Sequence, residues 1–448
     1  MAMFSNLKTC NLFSFLLLSV NMSIRHFPIY VDYKQGSLLH SFWSSIDNCH
    51  VLEGSTVLDQ SSGRDAGKVL MLGGFIGFGD SDAVPTKLTV KNSTAKVTVD
   101  SQDWAQVNSC FIAALGYAAQ VLLENCDVEG EVKGGANLQN YAGGLIARAQ
   151  NAGVTGYEAK ANIVIKKCTF KGNVIGRAGV GGLVGAIENS GTLTIQDSHA
   201  SGTVTNIQNN IGGIIGLSSH GVVKVEGCTF DGKLDGQSYV GGICGGLGTN
   251  LTSIEITRCT SKGQVISSHS YSGGIVGAAQ APVQVINNCA SLASVELTGK
   301  SAQGKQIGGI VGTATSKIEI TNSFAAGDLK TITVAGGVIG RVAGADSKVS
   351  KCIAWNASLS ATTSSLLGAV IGSLEKSGEY ASCVRRSDMA VTNSSSALAD
   401  QDDITGLAAT TAYHGKAAAA DKTASAVAKE LGWDETIWDL SKDVPALK

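Results

Sequence analysis

The chain has 448 residues, among them 56 glycines but only 4 prolines, and charged residues make up 16% of it. A hydrophobic share of 44% is enough to build a core and excludes a disordered glycine-rich linker. A formal net charge of −2 over this length provides no field that would attract phosphates, which excludes nucleic acid as a partner. The length alone allows about three domains, although internal repeats would make one long body instead.

The first 23 residues fit a secretory signal. They carry Lys8 and then an apolar run from Leu12 to Val20, which is too short for a membrane span of about 20 residues. A misplaced start codon or a buried strand would give the same pattern, and these alternatives stay open. Residues 24–65 contain strand-like pieces and Trp43 but no clear repeat, which predicts an amino-terminal cap or the remnant of a larger domain.

A phrase of two glycines, two apolar residues and a third glycine recurs through residues 66–400, and SGGIVG at Ser272–Gly277 is one copy. Counting a degenerate copy at Ser109–Gly116, successive copies begin roughly 28 to 38 residues apart, a period typical of stacked solenoid coils. Glycine here indicates a backbone that turns or passes a neighbouring chain closely. The predicted repeat glycines are Gly143, Gly144, Gly181, Gly182, Gly185, Gly212, Gly213, Gly216, Gly241, Gly242, Gly245, Gly273, Gly274, Gly277, Gly308, Gly309, Gly312, Gly336, Gly337 and Gly340.

A second phrase, centred on a cysteine, keeps the same period. Serine takes the place of the cysteine at Ser93, Ser198 and Ser323, which favours a size-limited, inward-facing stack of side chains. Buried reduced thiols are the favoured interpretation, with disulfides between coils and a metal site as alternatives. Because the sequence has no CxxC pair and no paired histidines, we predict no metal. The predicted core stack is Cys126, Cys168, Cys228, Cys259, Cys289 and Cys352.

The segments between the two phrases have the pattern of strands. In SIEITRC, Ile254 and Ile256 alternate with Glu255 and Thr257, and the other copies are similarly rich in β-branched residues. Three short strands per period predict an all-β fold, a single-stranded parallel β-helix (β-solenoid) of about ten coils. The general handedness of such crossovers makes a right-handed coil the default.

The glycine strand itself is predicted to have two apolar faces. Val240 and Cys244 share one face of a continuous strand, and Ile243 points the other way. We therefore expect something to cover the outer face, such as a loop, a neighbouring molecule or the carboxy-terminal segment.

Residues 401–448 are predicted to cap the solenoid. Ala418–Leu431 fits a short helix that stops at Gly432, because three apolar residues share one face. Open solenoid ends expose unpaired strands, and we expect the residues after the helix to seal the last coil. The apolar residues of that closing segment are Trp433, Trp438 and Leu440.

The candidate functional residues of the sequence are aromatic rather than catalytic. The sequence lacks HExxH, GxSxG and GxxxxGK[ST], so we predict no catalytic residue and no cofactor. The tight acidic pair Asp402 and Asp403 follows the repeats and predicts a solvated loop. Tyr141, Tyr239 and Tyr271 each lie two places before a glycine pair. Their rings are predicted to form an external ladder that suits sugars, and a stabilising stack without a ligand is the alternative.

The glycine phrase resembles the GLUG repeat, best matched by GGLVG at Gly181–Gly185. The resemblance covers roughly residues 70–375, with departures at Ala147, at Ala369 and in the degenerate copy around Cys110. Proteins with such repeats are bacterial cell-surface and secreted proteins, including adhesins and non-catalytic regions of immunoglobulin-cleaving peptidases. The resemblance thus implies attachment and carries no active-site residue onto this chain.

These observations lead to one hypothesis with two rivals. The hypothesis is a non-enzymatic protein, secreted or on the cell surface, that binds a host or bacterial surface ligand such as a glycan through its repetitive wall. We predict neither a nucleic-acid partner nor an integral membrane span. The first rival is a polysaccharide lyase or glycoside hydrolase, which would need carboxylates converging on one face. The second is a passive stalk of a larger surface protein.

Overall fold

The computed structural model describes residues 11–14, 43–58, 71–79, 87–101, 106–116, 119–135, 140–149, 160–188, 191–299, 305–395, 398–401, 404–405 and 411–448. The chain divides into two units, Met1–Ile207 with Ile214–Lys224 and Gln208–Gly213 with Val225–Lys448. Parallel strands stack coil upon coil in each unit, which confirms the predicted β-solenoid. The described residues form about nine turns, close to the prediction of about ten coils.

A typical coil of the first unit has four strands rather than three. In one coil they are Gln120–Glu124, Asp127–Lys133, Tyr141–Gly143 and Ile146–Ala149. Each strand pairs in parallel with its counterpart in the next coil, so that four ladders form. Within a coil, the strand of ladder 1 precedes the cysteine phrase and the strand of ladder 2 follows it. The strand of ladder 3 ends at the glycine pair, and the strand of ladder 4 begins after the bend. The fourth strand arises because the glycine phrase bends in its middle and contributes to two strands.

The first unit contains the amino-terminal coils. Ladder 1 consists of Trp43–Asp47, Lys87–Lys91, Gln120–Glu124, Asn162–Lys166 and Thr192–Gln196. Ladder 2 consists of His50–Leu58, Thr94–Asp100, Asp127–Lys133, Thr169–Gly176 and His199–Asn206. Ladder 3 consists of Met71–Gly73, Val107–Ser109, Tyr141–Gly143 and Gly179–Gly181. Ladder 4 consists of Ile76–Gly79, Ile112–Leu115, Ile146–Ala149, Val184–Ile187 and the start of Ile215–Glu226, whose end belongs to ladder 1.

Regular coil stacking begins within the segment predicted as an amino-terminal cap, at Trp43–Asp47, which pairs in parallel with Lys87–Lys91. A short strand, Asn11–Ser14, lies antiparallel to the other edge of Trp43–Asp47. The rest of the predicted signal segment lies outside the described residues.

The second unit contains the remaining coils. Three long strands run through two ladders each: Thr229–Gly241, Cys244–Thr257 and Thr260–Gly273. Ladder 1 continues as Gln284–Asn287, Glu319–Thr321, Ser347–Ser350 and Gly378–Ala381. Ladder 2 continues as Ala290–Ser291, Ser294–Leu297, Phe324–Ala325, Leu329–Thr331, Ile353–Ala354, Ser358–Ser365, Val384–Arg385 and Ala390–Ser394. Ladder 3 consists of Asn209–Gly212, the ends of two long strands, Gln306–Gly308, Val334–Gly336 and Leu367–Gly368. Ladder 4 continues as Val276–Ala279, Val311–Ala314, Ile339–Val342 and Ile371–Leu374.

The cysteine phrase forms the corner between ladders 1 and 2. The residue before the cysteine has a left-handed backbone in coil after coil, as at Asn125 (φ 54°) and Asn288 (φ 52°). Asparagine tolerates this conformation better than most residues. The six cysteines of the predicted core stack are fully buried and, among the described residues, are thiols rather than disulfides.

Hydrogen bonding explains why serine replaces cysteine at this corner. The Cys259 thiol donates to the carbonyl of Thr257 at 3.3 Å, and the Ser323 hydroxyl donates to the carbonyl of Thr321 at 2.8 Å. The backbone N–H of Cys289 also donates to the Ser323 hydroxyl at 3.2 Å. The position therefore needs a small side chain that can donate a hydrogen bond two residues back.

The glycine phrase forms the corner between ladders 3 and 4. The chain bends at Gly242 and Ile243, so that Val240, Ile243 and Cys244 are all fully buried. The predicted apolar outer face is therefore wrong, because the alternation of a straight strand does not continue through the bend. A Cβ atom on Gly242 would overlap the carbonyl oxygen of Gly274 in the next coil, which explains the glycine.

Reversed strands close the carboxy-terminal end of the ladders. Ile404–Thr405 and Thr411–Tyr413 run antiparallel to the last strands of ladders 1 and 4, and Lys416–Ala417 adds one parallel strand to ladder 2. His414 is buried in this closure, and its Nδ1 accepts the backbone N–H of Ala369 at 3.1 Å. Burial lowers the pKa of His414 to about 4, and the charge of Arg385 adds to the effect.

We expect this closure to lose stability as the pH falls from about 6.5 to about 4. An unfolded histidine binds its proton near pH 6.5, whereas folded His414 stays neutral until about pH 4, so the unfolded state binds more protons in between. The cost is at most about 3 kcal/mol. His414→Asn keeps an acceptor for Ala369 without titrating, so its thermal midpoint should fall less than that of the unmodified chain between pH 7 and 4.5. Equal falls would contradict the assignment.

The helix is shorter than predicted, at Ala424–Glu430. It begins after Thr423, whose hydroxyl accepts the N–H of Ala426 at 3.2 Å, and it ends at Leu431. Gly432 then takes a left-handed φ of 71°, as is usual after a helix. Within the described ranges, no helix has the length and apolar character that crossing a membrane requires.

The tail formed by residues 419–448 does not seal the last coil as predicted, but lies along the side of several coils. Trp433 and Trp438 are buried, with ring centroids 4.6 Å apart, against an outward column of ladder 2 that includes Ala290, Phe324 and Ile353. The Trp438 indole donates to the side chain of Asn288 at 3.0 Å and the Trp433 indole to the carbonyl of Lys351 at 3.0 Å. We call this segment the lateral tail; a short pair, Trp438–Asp439 with Ala446–Leu447, completes it.

Candidate functional site

Ladders 3 and 4 diverge from the glycine bend, and the outward side chains of the two ladders face each other across it. In the first unit, Val107 of ladder 3 and Ala114 of ladder 4 belong to one buried apolar cluster. One coil further on, the Tyr141 ring lies under the Arg148 guanidinium, 4.4 Å from its carbon. We call the surface between these two outward rows the glycine-corner groove.

The groove of the second unit carries two of the three predicted tyrosines. The rings of Tyr239 and Tyr271 come from adjacent coils, with centroids 5.5 Å apart and planes inclined by 36°. Both side chains are half-buried. Burial, with a smaller contribution from Tyr271, raises the pKa of Tyr239. The pair therefore presents an apolar wall that ends in a polar phenol.

Both tyrosines have a left-handed backbone, with φ of 58° at Tyr239 and 49° at Tyr271. Asn210 holds the same position one coil earlier with φ of 66°. This conformation is common for asparagine and rare for a bulky residue. It costs about 1 kcal/mol or more at each tyrosine. Asparagine would therefore occupy the same position with less conformational strain than tyrosine.

Polar groups lie beyond the tyrosine pair along the same groove. Gln306 stands at the tyrosine position of the next coil, because Ser272 pairs with Ile307. Thr313 of ladder 4 pairs with Arg341 one coil further on. Arg341 binds Glu375 through two hydrogen bonds of 2.7 Å. Those hydrogen bonds raise the pKa of Arg341 and lower that of Glu375, and Tyr271 is near enough to add to the effect on Arg341.

Tyr141 has a different environment in the first unit. Its ring lies under Arg148, and its hydroxyl donates to Glu188 at 3.2 Å, while Arg148 binds the other carboxylate oxygen at 2.7 Å. Burial, followed by the charge of Glu188, raises the Tyr141 pKa. A ring already covered by a guanidinium offers a ligand less surface than the Tyr239–Tyr271 pair does.

A depression of about 430 Å³ opens on the outside of ladder 1 in the second unit. Glu319, Lys348 and Glu379 lie in register on successive coils, so a lysine separates the two glutamates. Lys348 binds Glu379 at 3.1 Å. No cluster of three metal-ligating side chains occurs in the described part of the chain, and the predicted acidic pair Asp402 and Asp403 lies outside it.

Sequence reasoning missed Gln306, Thr313, Arg341 and Glu375. Two signals for them are visible in the repeat. Gln306 stands two places before its glycine pair, as the tyrosines do, and Arg341 directly follows its glycine phrase, as Arg148 does. Glu375 carries no such signal, because it lies beyond the phrase of the next coil.

Comparison with known proteins gives limited similarity. No protein family matches the chain. A stretch of it is 32% identical over 169 residues to halomucin of Haloquadratum walsbyi, covering 36% of this chain but 2% of the length of halomucin. A crystal structure from Bacteroides ovatus, of a protein provisionally assigned as an immunoglobulin A1 protease, is 14% identical, with 89% of this chain and 88% of that chain covered and a TM-score of 0.26. A TM-score this low does not establish a common fold.

Proposed function

We propose that the protein is a non-enzymatic, exported surface protein built of GLUG repeats, and that it binds glycans through the glycine-corner groove of its second unit. The repeated glycine and cysteine phrases and the β-solenoid support a long surface for attachment rather than a pocket for chemistry. The similarity to part of halomucin fits a repetitive exported protein. The outward residues of the groove supply contacts for a chain-like ligand.

The Tyr239–Tyr271 pair is the observation on which this proposal depends. Aromatic faces stack on the apolar faces of sugars, and the pair offers two adjacent rings of this kind. Their left-handed backbones indicate that something other than local stability favours tyrosine there. A stack kept only for stability would gain more from a residue that tolerates the conformation.

The first test is binding of the full chain to a glycan and extracellular-matrix array, with cleavage of the same glycans monitored. We expect retention without cleavage. Tyr239→Asn with Tyr271→Asn should weaken binding at least tenfold, because each lost stacking contact is worth about 1 kcal/mol. Asparagine is the suitable replacement because Asn210 already holds this backbone.

The double variant Tyr239→Phe, Tyr271→Phe serves as the control, since it keeps both rings and should retain most of the binding. Cleavage of a bound glycan would replace the proposal with a carbohydrate-active enzyme. Neither binding nor cleavage would favour a passive stalk. Unchanged binding in the asparagine variant would mean that the groove is not the site.

A further inference from the structure

The Arg341–Glu375 pair gives the groove a charge-neutral hydrogen-bonding surface. The side chains are 26% and 31% exposed, and Nε and Nη2 of the arginine each donate to a different carboxylate oxygen. The guanidinium keeps further N–H donors, and the carboxylate keeps acceptor lone pairs. Donors and acceptors thus lie side by side without net charge, which complements neighbouring hydroxyl groups on one sugar ring.

Building on the glycan-binding function proposed above, we infer that this groove takes a neutral, hydroxyl-rich sugar unit and discriminates against uronic, sialic and sulfated sugars. Tyr239 and Tyr271 hold the apolar face of one sugar unit, while Arg341 and Glu375, further along the same groove, bind hydroxyls of the same glycan chain. A carboxylate or sulfate group would lose its hydration without gaining an ion pair, because Glu375 already neutralises Arg341. The same group would also be repelled by the Glu375 carboxylate.

The test compares the full chain on neutral oligosaccharides and on their uronic-acid or sulfated counterparts, at 20 and 500 mM NaCl. We expect the bound glycans to be neutral, with Kd changing less than twofold between the two salt concentrations. Glu375→Gln leaves Arg341 unneutralised, so this variant should bind the uronic-acid counterpart at least tenfold more tightly than the unmodified chain does. High salt should abolish that gain.

Glu296→Gln is the matched control. It makes the same charge change at the exposed Lys330–Glu296 ion pair on ladder 2, whose atoms are 2.8 Å apart, and it should leave glycan preference unchanged. Tyrosine-dependent binding of acidic glycans by the unmodified chain would overturn the inference and leave the proposed function standing. Failure to bind any glycan would overturn both. If Glu375→Gln kept the preference for neutral over acidic glycans, the Arg341–Glu375 ion pair would not be part of the binding site, and the inference would be wrong.

Discussion

Replacing Trp438 with alanine is expected to detach the lateral tail from the coils. Trp438 is fully buried, packs against Trp433 with the ring planes inclined by 37° and donates a hydrogen bond to Asn288. Removing a buried tryptophan typically costs about 3–5 kcal/mol. Because the tail is an appendage to coils with their own core, this loss should appear as local opening. Hydrogen exchange at the amides of Ala424–Glu430 should accelerate at least a hundredfold, while the strands of ladder 1 keep their protection.

Val444→Ala provides the comparison within the same tail. Val444 is 40% exposed, so its truncation should change the free energy of local opening, as measured by hydrogen exchange, by less than about 0.5 kcal/mol. If Trp438→Ala left the helix amides as protected as before, the tail would not be held through its tryptophans. If the ladders lost protection together with the helix, the tail would be part of the coil core rather than an appendage.

Adding a methyl group at Gly274 is expected to destabilise the second unit by about 3 kcal/mol, at the upper end of the usual cost of overpacking. A Cβ atom there would overlap the carbonyl oxygen of Gly309 in the next coil and the hydroxyl of Ser291. A backbone carbonyl cannot rotate away as a flexible side chain can, so two adjacent coils must separate. Thermal unfolding followed by the circular dichroism of the strands should show a lower midpoint for Gly274→Ala.

Gly432→Ala measures the cost of a left-handed backbone at a position where the added methyl group meets no neighbouring atom. Gly432 has a left-handed φ of 71°, but no atom lies within contact distance of a Cβ added there. Its replacement should cost only about 1 kcal/mol, the price of alanine in that conformation. Equal destabilisation by the two changes would mean that the repeat glycines serve backbone freedom rather than close approach of the coils.

The sequence predicted the coils because both phrases repeat at one period, and a repeat is visible without any knowledge of contacts. It did not predict the bend inside the glycine phrase, since a straight strand and a corner share the same letters from Val240 to Cys244. The left-handed corner residues were visible only as the frequent asparagine before the cysteine, as at Asn125 and Asn288. A bend has no period of its own, so periodicity alone could not reveal the fourth strand.

For the candidate site, the sequence supplied the tyrosines and their spacing but not their neighbours. Tyr239 and Tyr271 could be assigned to adjacent coils by counting, whereas the facing of ladder 3 and ladder 4 depends on the bend between them. Tyr141 has the same spacing, yet Arg148 covers its ring. Equivalent positions of the repeat therefore have different neighbours on the facing ladder. These neighbours cannot be predicted from the repeat pattern alone.

The lateral tail also limits which coils of the second unit can be duplicated or lost. The residue that follows the cysteine corner points outward and is polar at Thr229 and Thr260, but apolar at Ala290, Phe324 and Ile353, where the tail lies. The two indoles bind the corners at Asn288 and Lys351, which are two coils apart. Deleting the coil of Phe324 would bring those corners too close together for both bonds to form, so gain and loss of repeats is confined to coils outside the reach of the tail.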